Sequence, residues 1–318
     1  GGGRHAHGIA ETGRERFERF IDKADDRPVT TSKHSYMIPL PAVTSTIKQM
    51  AIDPSARIAS TAKVHPGANI GPQTVVGEFC IVEEDVTIGA NNVLEPYVFI
   101  KRWTTLGDDN EISAQTVLGT DPLDKGFAGQ RSYLKIGSRN KIREHYTISR
   151  GSKPETSTLI GDDNFIMTSG HIAHNAIVGN GTIIASCALV AGYAEVEDQA
   201  FLSGGALIHQ FGKVGRLAII SGNTRVSLDA PPFFTYAGFK IEPCGLNLIG
   251  LRRAGISAPE IHQLKKAYRL MYRSGLPLQE ALRRIETELP GPLTEHLVRF
   301  VRHSKRGICR EAPKNQSE

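Results

Sequence analysis

Cysteine is scarce in this chain. Its four cysteines, Cys80, Cys187, Cys244 and Cys309, are scattered through 318 residues without the short spacings of metal ligands, which argues against a disulfide framework and for a reducing compartment. No apolar run approaches the roughly 20 residues that cross a bilayer, so no transmembrane segment is expected and a cytoplasmic protein is the default. A basic recognition helix, zinc spacing and an aromatic-interleaved RNA motif are also missing, so nucleic acid is not an expected partner. The chain that remains is 40% hydrophobic, enough to bury a sizeable core in one or two domains. Its net charge of +5 is modest, but many positive residues fall in the last quarter, which points to an acidic partner.

What the sequence does have is a beat of six. Aliphatic residues recur at Ile52, Ile58, Val64, Ile70, Val76, Val82, Ile88, Leu94, Ile100, Leu106, Ile112 and Leu118, resume at Ile136, Ile142 and Ile148, and run on from Ile160 to Val226. Two residues before these anchors the side chain is mostly small, as at Ala62, Ala176 and Ala194, and the residue after is often Gly, as at Gly77, Gly107 and Gly179. Neither the helical period of 3.6 nor the strand period of 2 produces this spacing; short strands joined by glycine-permitted turns do. Three hexads make a triangular coil of about 18 residues, each face stacked about 4.8 Å above its equivalent.

This pattern resembles the hexapeptide-repeat proteins and implies a mainly β fold, a left-handed parallel β-helix, over residues 51–230. Interruptions at "TDPLDKGFAGQRSY" and "SRGSKPETST" mark where loops leave the prism. After Val226, "LDAPPFF" ends the regular coil. The spacing then turns helical, with Ser257 a candidate N-cap, Glu260 in the first turn and Gly275 a stop, so residues 231–318 read as a small α-helical C-terminal domain. Residues 1–50 lack the hexad. They hold a possible short helix, "GRERFERFIDKA", and too many acidic residues for a transit peptide, and they read as an extension, with Met37 or Met50 a possible start of the enzyme proper.

The coil repeat converts residue number into position. His171, His174, Tyr193 and His209 share one arc of the prism over two coil steps, and Gly192 and Gln210 fall in the column of His174, which lies two residues past Ile172 and so projects outward. Polar groups converging on a repetitive scaffold make a candidate site. Acid–base work, zinc ligation in the manner of carbonic anhydrases on this prism, and solvated turns are the readings open at this point; no metal ligand set is assigned.

The segments "IGSRNKIREHYTISRG", "GHIAHNAIVGN", "LVAGY", "LIHQFGKVG", "DAPPF" and "GLRRAG" follow in order, and together they resemble the UDP-N-acetylglucosamine O-acyltransferase family of lipid A biosynthesis. The resemblance implies cofactor-free transfer of a 3-hydroxyacyl group from acyl carrier protein to the sugar 3-hydroxyl, in a homotrimer with sites between subunits. It makes His174 the base and the Gly192 N–H the oxyanion donor. His171, His209 and Gln210 match positions that hold the sugar nucleotide and acyl group. Asp124 matches a carboxylate that places the sugar, Arg253 a basic residue near the phosphates or carrier protein, and Gly222 the end of the acyl groove. A glycine there implies a long acyl chain, unless it only permits a turn.

The chain departs from the family at Tyr193 (often His), Gly126 (Lys), Asn175 (Asp) and Ile249 (acidic). These departures leave a 3-amino sugar open as acceptor. Two readings from other classes stand beside the transferase, a zinc hydratase and a non-catalytic hexapeptide protein.

Overall fold

The computed structural model describes residues 52–310. The short helix read in "GRERFERFIDKA" and the candidate starts at Met37 and Met50 lie outside the described residues.

Short strands, mostly of two residues, recur at the six-residue beat between the loops and feed three parallel sheets in rotation, so that up to Val226 each strand pairs with the third one along the chain. Arg57–Ile58 pairs with Val75–Val76, Lys63–Val64 with Ile81–Val82, and Asn69–Ile70 with Thr87–Ile88. The result is the expected left-handed parallel β-helix, a departure from the usual right-handed crossover. In each two-residue strand the second residue is the hexad anchor and points inward. Ile70, Ile112, Ile148, Ile172, Val190 and Ile220 are among these anchors and are fully buried, forming an aliphatic column that needs every coil to be complete. Ile52 does not join it. It lies outside the strands and is exposed.

Alanine does not occupy every position two residues before an anchor. One corner instead carries a buried ladder of Asn92, Asn110, Asn140 and Asn164. Each asparagine oxygen accepts the main-chain N–H of its equivalent in the next coil, Asn110 to Asn92 at 2.9 Å, Asn140 to Asn110 at 2.9 Å and Asn164 to Asn140 at 3.0 Å. The steps of 18, 30 and 24 residues along this ladder show that both loops leave and rejoin without shifting the register. Elsewhere Tyr146 fills the small-residue position, and Gly170 above it leaves room for the ring.

The turns depart from the glycine expectation. Their left-handed positions are held by side-chain-bearing residues, Gln73, Tyr97, Asn175, Tyr193 and Leu217 among them, at a conformational cost. The cost is offset because each such residue aims its N–H at the coil below, as Tyr193 does to the His174 carbonyl at 3.0 Å. The glycines after the anchors serve a different need. At Gly107 a Cβ would lie 2.7 Å from the Gly137 carbonyl oxygen, so glycine there permits close stacking.

Beyond Val226, strand Phe234–Ala237 pairs parallel with Ile219–Ile220 and turns back on Glu242–Leu246. Helices α1 (Leu248–Arg253), α2 (Ala258–Tyr272), α3 (Leu278–Glu288) and α4 (Pro292–Arg302) follow. Ser257 and Glu260 form a reciprocal capping box on α2, and Gly275 lies two residues past its C-cap in the left-handed region. The helices dock on the prism through His296 of α4, whose Nε2 donates to Glu197 at 2.8 Å. No helix among the described residues is long and apolar enough to cross a membrane.

Candidate active site

His174 follows the strand His171–Ile172 and belongs to the corner that Gly192 continues one coil further on. It points away from the aliphatic column, yet is only 7% exposed. Two neighbours explain this. Tyr193 meets the imidazole edge-on with centroids 5.4 Å apart, and stacks on Phe211 at 5.1 Å. The ring also lies against the Gly192 main chain. A Cβ on Gly192 would sit 2.7 Å from His174 Cε1 and 2.8 Å from Nε2, so any side chain there displaces the imidazole. Among the described residues the Gly192 N–H has no hydrogen-bond acceptor.

The imidazole is also tied at Nδ1. His174 Nδ1 lies 3.2 Å from Asn175 Oδ1. That oxygen also accepts from the Ser152 N–H at 2.9 Å and from its hydroxyl at 3.0 Å, while Ser152 Oγ is 3.1 Å from the Tyr193 hydroxyl. Ser152 belongs to the second interruption, a segment that obeys no period, so the hexad carries no signal for it.

His171 packs beside this group, its Nδ1 2.7 Å from Thr147 Oγ1. Burial, with a smaller contribution from His174, holds its pKa below the usual imidazole range and favours the neutral ring. Its Nε2 is buried without a partner among the described residues. Leu189 and Leu207 continue the outer face above His171 and are 42% and 41% exposed, an apolar strip beside the imidazoles. His209 and Gln210 are exposed at the corner above, with His209 Nδ1 donating to the Gln210 carbonyl at 3.0 Å.

Three expected residues stand apart from the imidazoles. Asp124 is exposed in the connection between Val117–Thr120 and Tyr133–Ile136, where its carboxylate accepts the Gly126 N–H at 2.9 Å. Arg253 is exposed at the end of α1. Gly222 lies at a different corner, where an added Cβ would approach only the Gly204 carbonyl oxygen, at 3.3 Å. The left-handed residue of that turn is Asn223, so the backbone does not require glycine at 222.

A buried arginine anchors the connection that carries Asp124. Arg150 is sandwiched between the Trp103 and Phe127 rings, its guanidinium carbon 5.0 and 5.2 Å from their centroids, and pairs with Asp121 at 2.6 Å. Among the described residues no three His, Cys, Asp or Glu side chains are grouped to hold a metal ion.

A left-handed hexapeptide prism with an imidazole laid over a corner glycine and a helical tail places this chain in the class of hexapeptide-repeat acyltransferases. A family model described as UDP-N-acetylglucosamine O-acyltransferase, domain 2, matches residues 229–309. The acyl-[acyl-carrier-protein]–UDP-N-acetylglucosamine O-acyltransferase of Thermodesulfovibrio yellowstonii is 42% identical over 255 residues, covering 80% of this chain and 99% of that protein. The like-named protein of Gloeothece citriformis is 41% identical over 216 residues, 68% of this chain and 78% of its own. A crystal structure of a UDP-N-acetylglucosamine acyltransferase from Bacteroides fragilis superposes with a TM-score of 0.77 at 38% identity, over 79% of this chain and 99% of that one. The chain belongs to the UDP-N-acetylglucosamine O-acyltransferase family.

Proposed function

We propose that the enzyme transfers a 3-hydroxyacyl group from the thioester of acyl carrier protein to the 3-hydroxyl of UDP-N-acetylglucosamine, the opening step of lipid A synthesis in the cytoplasm. The observation that carries this reading is the His174 imidazole lying over the Gly192 main chain, with its Nδ1 tied to Asn175.

His174 Nε2 takes the proton of the sugar hydroxyl as that oxygen attacks the thioester carbonyl carbon. The carbonyl oxygen gains the negative charge, and the Gly192 N–H is the donor that meets it. When the tetrahedral carbon collapses, the carbon–sulfur bond breaks and the departing thiolate takes the sugar's proton from the imidazolium, leaving ester, free thiol and neutral His174. The reaction as written calls on no cofactor.

His171, with an unpartnered Nε2, and His209 with Gln210 hold the sugar nucleotide, and Leu189 and Leu207 line the acyl path that Gly222 leaves open at its end. Asp124 completes the sugar site from a neighbouring subunit of a trimer, consistent with the 84% exposure of Leu123 beside it. Arg253, the exposed basic row of α2, Lys265, Lys266 and Arg269, and Arg273 at its C-cap receive the acidic carrier protein. Lys266 and Arg269 also line a shallow cleft floored by Leu270 and Leu289 that shares no residue with the imidazole cluster.

Incubation with 3-hydroxyacyl carrier protein and UDP-N-acetylglucosamine is expected to yield the 3-O-acyl sugar nucleotide by mass spectrometry, and His174→Ala to yield none while remaining folded. Turnover of the folded variant within threefold of wild type refutes the assignment. A product formed only with a 3-amino sugar changes the substrate and keeps the base.

A further inference from the structure

We propose that Ser152 and Tyr193 lock the Asn175 amide in the one orientation that keeps the His174 proton on Nδ1, making Ser152 a positioning residue for acyl transfer. The proposal rests on the reading of His174 as the base. A main-chain N–H can only donate, so the Asn175 atom that the Ser152 N–H meets at 2.9 Å is the carbonyl oxygen. The Ser152 hydroxyl donates to the same oxygen at 3.0 Å. Having spent its one proton, it accepts from the Tyr193 hydroxyl at 3.1 Å. His174 Nδ1, 3.2 Å from that asparagine oxygen, therefore carries the imidazole proton. A neutral imidazole has one N–H, so Nε2 is bare on the Gly192 side.

The lock is needed because the partner is an amide. A carboxylate offers acceptors on both sides, whereas an asparagine rotated half a turn presents its NH2 to Nδ1 and drives the proton to Nε2, the atom that has to accept it from the sugar. The Ser152 N–H and hydroxyl oppose that rotation together. Ser152 also links the base to the substrate loop, since its carbonyl accepts from Gln130 Nε2 in the connection that carries Asp124.

The test uses the full chain. Ser152→Ala removes the hydroxyl and keeps the main-chain N–H; loss of one neutral hydrogen bond shifts the ratio of the two amide orientations about fivefold, so kcat is expected to fall by up to about fivefold, with KM for both substrates held within about twofold. Combined with Asn175→Asp, the same Ser152→Ala change is expected to cost little, because a carboxylate has no donor face. Asn175→Asp by itself moves the acid limb of the pH–rate profile upward, since an anionic partner favours the imidazolium. Nitrogen-15 spectra of histidine-labelled protein are expected to show His174 protonated on Nδ1 in wild type and a rising Nε2–H population in Ser152→Ala. An equal Ser152→Ala loss in both backgrounds, or an Nε2-protonated His174 in wild type, overturns the lock. Activity retained by His174→Ala refutes the base reading itself, and does so independently of the spectra.

Discussion

Replacing Gly192 by alanine separates the steric from the electronic role of that residue. The substitution leaves the main-chain N–H in place, and Gly192 is not among the glycines with positive φ, so its backbone accepts an L side chain. The conflict is with the imidazole. The new methyl would lie 2.7 Å from His174 Cε1, 2.8 Å from Nε2 and 3.2 Å from Nδ1. Comfortable contact starts near 3.5 Å, so the ring has to retreat by roughly 0.8 Å. Displacing a reacting group by about 1 Å costs on the order of 100-fold in rate. The expected outcome is a fall in kcat of about 100-fold with KM changed less than about threefold, because binding groups are untouched. The imidazole is at the prism's edge rather than in the aliphatic column, so the melting temperature is expected to stay within about 3 °C of wild type. Steady-state kinetics over both substrates and a circular-dichroism melt decide it. A folded Gly192→Ala enzyme with kcat within threefold of wild type refutes the contact between this glycine and the base.

Gly222→Met is expected to shift preference toward shorter hydroxyacyl chains, because the added side chain enters open space; each methylene excluded costs about 0.8 kcal/mol, so a chain two carbons too long loses roughly 15-fold in competition assays. An unchanged ranking in a folded variant refutes the groove assignment. Turnover at subsaturating carrier protein is expected to fall as salt rises, since rim charges act over about 8 Å at physiological ionic strength; indifference to salt and to charge reversal at Lys265 and Lys266 places docking elsewhere. Asn140→Ala strips the acceptor from two donors of Asn164, its N–H at 3.0 Å and Nδ2 at 2.9 Å. At about 1–3 kcal/mol per stranded buried group, a melting temperature lower by roughly 5–10 °C is expected, and a loss under 2 °C contradicts a structural role for the ladder.

The hexad by itself makes the prism legible, because a side chain that has to stack on its own equivalent in each coil imposes a strict period. The same arithmetic put His174 and Gly192 in one column, and a capping pair, Ser257 and Glu260, announced α2. The asparagine ladder was equally periodic but hidden among positions read as small. Tertiary structure decided what has no period. Ser152 and Arg150 lie in or beside an irregular connection, and only the folded chain brings Ser152 to Asn175 or closes Trp103 and Phe127 around Arg150. The depth of His174 was also beyond sequence, which places a residue outside the core but not under a neighbouring tyrosine. Periodic residues are determined by contacts with their own repeats, at fixed sequence separations. The groups that orient the base are determined by contacts between segments with no fixed separation, and those exist only once the prism has closed.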